Sequence, residues 1–302
     1  MKRGCVIGYD INEKGCQISY YDDSMEEPDT MMASSNNYLI PLVLGYFKDR
    51  WVFGKEAKRL AVVGEDCTET DLYGKAKRRE KVSLAGKTYD AVWLLAKYIS
   101  LTLQDFENIQ YLTFTTPETD VDMAKMLKGI GQHIGVDKEI INVQDYKESF
   151  CQYMIFQPKE LWQYESALFY CDEDRIKAYM LRRLRVDASH GMNSFVTVDE
   201  VANAQRKELE ALYPIMNKEK SPDESFKSMI ENVFEKKVIS SVYLTGEGFE
   251  KNWYPNSLRV LCNGRRAFMG NNLYSKGACY KSIRKCEPND DGPIYLDETK
   301  LT

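Results

Sequence analysis

Thr245-Gly246-Glu247-Gly248 sets two glycines around one carboxylate, directly after the apolar run VISSVYL at 238–244. Glycines at such a turn let the backbone lie close to a ligand, because no Cβ stands in the way. The same pattern serves as plain chain reversal after a strand. Asp10 ends another apolar run, CVIGY at 5–9, and opens the turn DINEKG. Aspartate and asparagine favour turns by hydrogen-bonding their own local backbone. Tyr170-Cys171-Asp172-Glu173-Asp174-Arg175 crowds three acids beside one base. Like charges ~4 Å apart repel by about 4 kcal/mol at an effective dielectric of about 20, so this stretch reads as a solvated acidic turn. The eight cysteines include no C-x-x-C pair, and His133 and His190 are the two histidines. A metal centre or a histidine triad is poorly supplied, and the cysteines read as buried, reduced thiols.

The elements that would carry these residues follow from periodicity. CVIGY and the alternating CQISYY at 16–21 form a hairpin, with Gly15 supplying permissive backbone. YLIPLVLGYF at 38–47 is strand-like, with Pro41 arguing for an edge or a bend. WVFG at 51–54 is a strand leading into a helix through KEAKRLAVV. Residues 89–106 are helical, with Val92, Leu95, Ala96, Ile99 and Leu103 on one face. YLTFTTP at 111–117 is a strand stopped by Pro117, and a helix at 118–134 follows. Next come a strand at 140–143 and a helix through 145–156. SALFYC at 166–171 and IKAYMLRRL at 176–184 make a second hairpin. Helices are predicted near 198–213 and 222–236, then the strand at 238–244. RVLC at 259–262 and RRAFM at 265–269 flank a turn at Asn263–Gly264, before a helix at 270–285. GPIYL at 292–296 looks like a strand that opens something further, a tail belonging to a longer protein. Two hairpin-initiated halves suggest a duplicated α/β architecture.

The totals exclude several classes. The chain has 302 residues, 43% hydrophobic and 29% charged, with a net charge of -5. That length suits two domains or one large α/β unit. The charge gives no general pull toward nucleic acid or anionic membrane. KAKRREK at 75–81 and RRLR at 182–185 are therefore read as solvated faces, and Trp253-Tyr254 beside Pro255 as core packing. No apolar run approaches the ~20 residues of a membrane span, and the apolar stretch after MKRG is too short for a signal peptide. A cytoplasmic location is expected.

The order of these landmarks resembles one superfamily, the actin, heat-shock-chaperone and bacterial cell-division ATPases. VIGYDINEKGCQISYY resembles their first phosphate hairpin, and ALFYCDEDRIKAYML their second. WVFGKEAKRLA, with Gly54, Ala57 and Lys58, resembles a chaperone helix start. INVQDYKESFCQYMI resembles the helix that connects the lobes. SSVYLTGEGFE resembles the adenosine loop, and GNNLYSKGACY the closing helix with its Gly277-Ala278 pair. The resemblance covers most of residues 4–285 and points to a divergent bacterial branch. It implies a two-lobed actin-like ATPase fold, a duplicated ribonuclease-H-like arrangement. Residues 1–160 would form one lobe and 161–285 the other, with 270–285 open to either and 286–302 a tail.

That family clamps ATP and Mg²⁺ between its lobes, with glycine-rich hairpins approaching the phosphates through backbone N–H groups. The resemblance makes Asp10 a metal-binding and catalytic candidate. It adds Asn12, Lys14, Gly246, Glu247 and Gly248 for the nucleotide, and Glu148, Gln152 and Asp172 as weaker catalytic candidates. The departures are large. Asn12-Glu13-Lys14 stands where a glycine belongs, Cys171 falls on the second aspartate unless the register slips to Asp172, and the second turn holds no glycine. The leading expectation is a pseudo-ATPase acting as a scaffold or regulatory module, with a protein partner or self-association. An active Mg·ATP hydrolase is the alternative, and a small-molecule kinase ranks below both.

Overall fold

The computed structural model describes residues 4–35, 37–63, 67–184, 194–205, 221–287 and 292–297. The fold is mixed α/β. The chain divides into two compact units, Met1–Ser149 with Tyr274–Asn289, and Phe150–Leu273 with Asp290–Thr302.

The first unit is built on a sheet whose strands are β1 (Cys5–Ile11), β2 (Gly15–Tyr21), β3 (Asp29–Thr30), β4 (Ile40–Pro41), β10 (Ile109–Thr116) and β11 (Ile141–Asp145). Its order is β11-β10-β1-β2-β3, and β4 also pairs with β2. Strand β1 runs parallel to β10 and antiparallel to β2. The apolar run at 38–47 breaks after Pro41 and resumes as β5 (Leu44–Phe47), which pairs with β6 (Arg50–Phe53) and β7 (Thr68–Glu69). Helix α1 (Gly54–Val63) follows β6 directly.

Helix α3 (Ala91–Thr102) starts where the Asp90 carboxylate accepts from the amides of Val92 and Trp93. It buries Leu95, Ala96 and Ile99, the expected face, and each such leucine or isoleucine contributes about 2 kcal/mol. Helix α4 (Val121–His133) is capped by Asp120 and buries Met123, Met126, Leu127 and Ile130. Helix α2 (Leu72–Lys77) and the hairpin of β8 (Lys81–Leu84) with β9 (Lys87–Asp90) occupy the stretch containing the basic run. There Lys75 pairs with Glu69, and Arg78 with Asp71 and Glu80, so that run is laced with acids.

The second unit repeats the plan. Its sheet order is β16-β15-β12-β13-β14-β17, from β12 (Glu165–Cys171), β13 (Arg175–Leu184), β14 (Phe195–Gln205), β15 (Ile239–Thr245), β16 (Arg266–Met269) and β17 (Ile294–Tyr295). Strands β1, β2, β10 and β11 pair in the same order and the same sense as β12, β13, β15 and β16. Even an irregularity recurs: the β1–β10 ladder shifts register between Cys5 and Val6, and the β12–β15 ladder between Glu165 and Ser166.

One expectation is corrected. The helix near 198–213 is instead β14, ten of whose 11 residues pair with β13, while residues 206–213 lie outside the described ones. RVLC and RRAFM do flank a turn at Asn263–Gly264, with RVLC closing a helix, Pro255–Leu261, and Gly264 taking a positive φ of 69°. GPIYL holds the expected strand, β17, which pairs in parallel with β14. Helices α6 (Pro222–Phe234), α7 (Pro255–Leu261) and α8 (Leu273–Cys286) complete the chain after α5 (Tyr146–Ile155). Among the described residues, no helix is long and apolar enough to cross a membrane.

Candidate functional site

The turn between β1 and β2 is closed by Asn12. Its amide oxygen accepts from the backbone N–H groups of Lys14 at 2.9 Å and Gly15 at 3.3 Å, and its own N–H donates to the Gly15 carbonyl. None of these residues has a positive φ. Asn12 therefore contributes through its side chain, and unusual backbone angles are not needed. Gly15 is required for a different reason from the expected one: a Cβ there would overlap the Ile40 carbonyl on the neighbouring strand.

Asp10 lies two residues before that turn and is only 4% exposed. The Tyr146 hydroxyl donates to its Oδ1 at 2.7 Å, and Asn12 Nδ2 donates to the same hydroxyl at 3.0 Å. The Tyr146 ring stacks on Tyr274 with centroids 3.7 Å apart. Burial pushes the Asp10 carboxyl up from 3.8 to about 7, and the tyrosine hydrogen bond opposes part of that rise. Burial likewise holds the Tyr146 phenol well above its ordinary value, with the Asp10 charge adding to the effect. Tyr73 of α2 is pushed up to about 12, first by burial and then by the nearby Glu13 and Asp10 charges, while a bond with Thr116 opposes the rise. The three tyrosines around Asp10 carried no signal in the local sequence.

The second hairpin closes in the same manner. Asp172 Oδ1 accepts from the N–H groups of Asp174 and Arg175, both at 2.8 Å, and the Asp172 N–H donates to the Arg175 carbonyl. Asp172 thus matches Asn12. The strand register then matches Tyr170 to Asp10, since Tyr170 pairs with Thr245 as Asp10 pairs with Thr115. The glycines at 246 and 248 pack against this hairpin. Gly246 has φ 96°, and a Cβ would overlap the Cys171 carbonyl; a Cβ on Gly248 would overlap the Cys171 sulfur. The Gly248 carbonyl accepts from Trp253 Nε1 at 2.7 Å, and Glu247 is exposed. Trp253 and Tyr254 pack with Phe226 and Phe249 in the core of this unit.

In the first unit, Glu148 forms an ion pair with Lys281 of α8 at 2.7 Å, and its N–H donates to Asp145. Ser149 is bonded to Thr115 and Gln144. Helix α8 lies directly on the sheet because Gly8 has no Cβ to strike the Ser275 carbonyl and the Cys279 amide. Hydroxyl pairs Ser275–Ser19 and Ser282–Thr113 hold it there. Gly277 gives the same clearance to the Ser149 carbonyl, so the Gly277-Ala278 pair serves helix packing. Gln152 is buried on α5.

A phosphate cradle needs backbone N–H groups pointing at the ligand. Here Asn12 and Asp172 take the two N–H groups nearest the end of each turn. Asp10, the carboxylate that the resemblance nominates for Mg²⁺, is held by Tyr146 inside the protein. Among the described residues, no group of three or more His, Cys, Asp or Glu side chains could hold a metal ion. The residues present do not fit a triphosphate with its metal at either turn.

No curated protein matches this chain. Residues 27–298 match the protein family described as "Family of unknown function (DUF5716) C-terminal". With a match over so much of its length, the chain belongs to that family.

Proposed function

We propose that the chain is a divergent actin-like ATPase-fold protein, duplicated in the ribonuclease-H-like manner, that works as a pseudo-ATPase scaffold or regulatory module for a protein partner. The repeated strand order, down to the shared register shift after the first residue of the leading strand, supports the fold. One observation carries the loss of activity: the turn amides that would meet phosphates are bonded to Asn12 and Asp172. With those donors taken and Asp10 enclosed, the electrostatic positioning that phosphoryl transfer depends on is missing.

The test is thermal melting with Mg·ATP. One-site binding at about 100 times Kd raises stability by about 2.7 kcal/mol. The pseudo-ATPase reading expects no shift at millimolar ATP and no phosphate release. A shift accompanied by phosphate release that vanishes in Asp10→Ala would establish the active hydrolase instead.

A further inference from the structure

A cavity of about 470 Å³ lies in the second unit at the end of its sheet away from the 172–175 turn. There β12 begins, β13 ends and β15 begins. Four cations line it, Arg182, Arg183, Lys236 and Lys237, against the single carboxylate of Glu165. Three large apolar side chains that the fold leaves exposed, Tyr164, Leu184 and Val238, line the same cavity. Exposed apolar residues scattered singly are ordinary, whereas three converging with like-signed charge mark a docking surface.

The four cations divide by role. Arg182 is engaged by Glu165 and Asp199, each at 3.2 Å, and Lys237 donates to the Val233 carbonyl. These two build the wall. The Arg183 guanidinium lies 5.0 Å from the centre of the Trp162 ring. Among the described residues, no carboxylate pairs with it. A stacked guanidinium keeps the N–H groups of its edge for a carboxylate. Lys236 is 90% exposed, and its contact with Glu235 at 3.5 Å is a weak surface pair. The rim is pre-formed: the Tyr164 N–H donates to Ser240 Oγ, and the Glu165 N–H to the Val238 carbonyl.

We propose that this cavity docks a short acidic segment of a partner protein, one with Asp or Glu residues flanking an aliphatic or aromatic side chain. The cations Arg183 and Lys236 meet its carboxylates, and Tyr164, Leu184 and Val238 cover its apolar residue. A small inorganic anion would leave the apolar part of the cavity without a role. A nucleic acid would meet a chain whose net charge as a whole is -5. The inference does not depend on the nucleotide reading, because it concerns the opposite end of the sheet from the second hairpin turn.

Fluorescence anisotropy with three labelled peptides tests it: an acidic peptide around a central Leu-Phe pair, the same peptide with Ser-Ser at the centre, and one with lysines for its acids. The first should bind saturably and weaken with salt, and the other two should bind far less. Arg183→Glu combined with Lys236→Glu should weaken the first by roughly tenfold or more, since two attractions become repulsions. Tyr164→Ala should weaken it through lost apolar contact. Melting temperature monitors folding, and Lys236→Glu alone, at so exposed a position, carries the test should the double variant melt lower. Equal binding of the Leu-Phe and Ser-Ser peptides would overturn the proposal. Binding indifferent to these substitutions, displacement by millimolar pyrophosphate, or tighter binding of a single-stranded oligonucleotide would each overturn it as well.

Discussion

Asn12 and Asp172 hold equivalent positions in the two hairpins, each accepting from the second and third backbone N–H groups beyond it. The likeness of the two units therefore extends from strand order to the chemistry of a single turn. It also explains why two turns so different in charge share one shape: the cap needs a side-chain oxygen at one position and little of the others.

Removing that oxygen should loosen each turn locally. Asn12→Ala and Asp172→Ala should each lower stability by about 1 kcal/mol. Faster hydrogen exchange at Lys14 and Gly15, or at Asp174 and Arg175, is the direct readout. Asp172→Asn should leave exchange near the wild-type rate, because the accepting oxygen remains.

Asp10 should make stability fall as pH rises. Its carboxyl titrates near 3.8 in the unfolded chain and is raised to about 7 in the folded protein. Between those values the folded state holds a proton that the unfolded state has lost. The contribution is present below about 3.8 and is lost as pH rises through about 7. Asp10→Asn, which does not titrate and keeps an oxygen for Tyr146, should gain on the wild type from about pH 5 to about pH 8. The gain over that window should reach at most about 3 kcal/mol. Denaturant midpoints at the two pH values measure it, and a constant gap between the proteins would count against this account.

Gly8→Ala should displace α8. The added methyl meets backbone atoms of Ser275 and Cys279, which cannot rotate away as a side chain would. A loss of about 3 kcal/mol is expected, read as a lower melting temperature. Gly246→Ala should do comparable damage in the second unit, where a positive φ of 96° adds backbone strain to the overlap with Cys171.

Thiol labelling should separate the cysteines by burial. Burial pushes Cys16 up to about 12 and Cys279 well above its ordinary value, so both are protonated as well as inaccessible. Exposed Cys262 and Cys286 should react with a thiol reagent in the native protein, and Cys16 and Cys279 only after unfolding. Rapid native labelling at Cys16 would show that the first unit opens readily.

Much of the scaffold was legible in the residues alone. Strands β1, β10 and β15, the two hairpins, and helices α3 and α4 follow from local periodicity and turn chemistry, which act within a few residues. So do the position of Asp10 near a strand end and the acidic turn of the second hairpin. The strand at Phe195–Gln205 was not legible, because VANAQ favours a helix locally and the ladder with β13 overrides it. What surrounds each candidate residue was decided by contacts distant in sequence. Tyr146 seals Asp10 from 136 positions away, and the glycines at 246 and 248 serve their approach to Cys171. Residue type can nominate a carboxylate or a glycine for chemistry, but burial and hydrogen-bond partners determine whether it is available, and those exist only once the strands have paired.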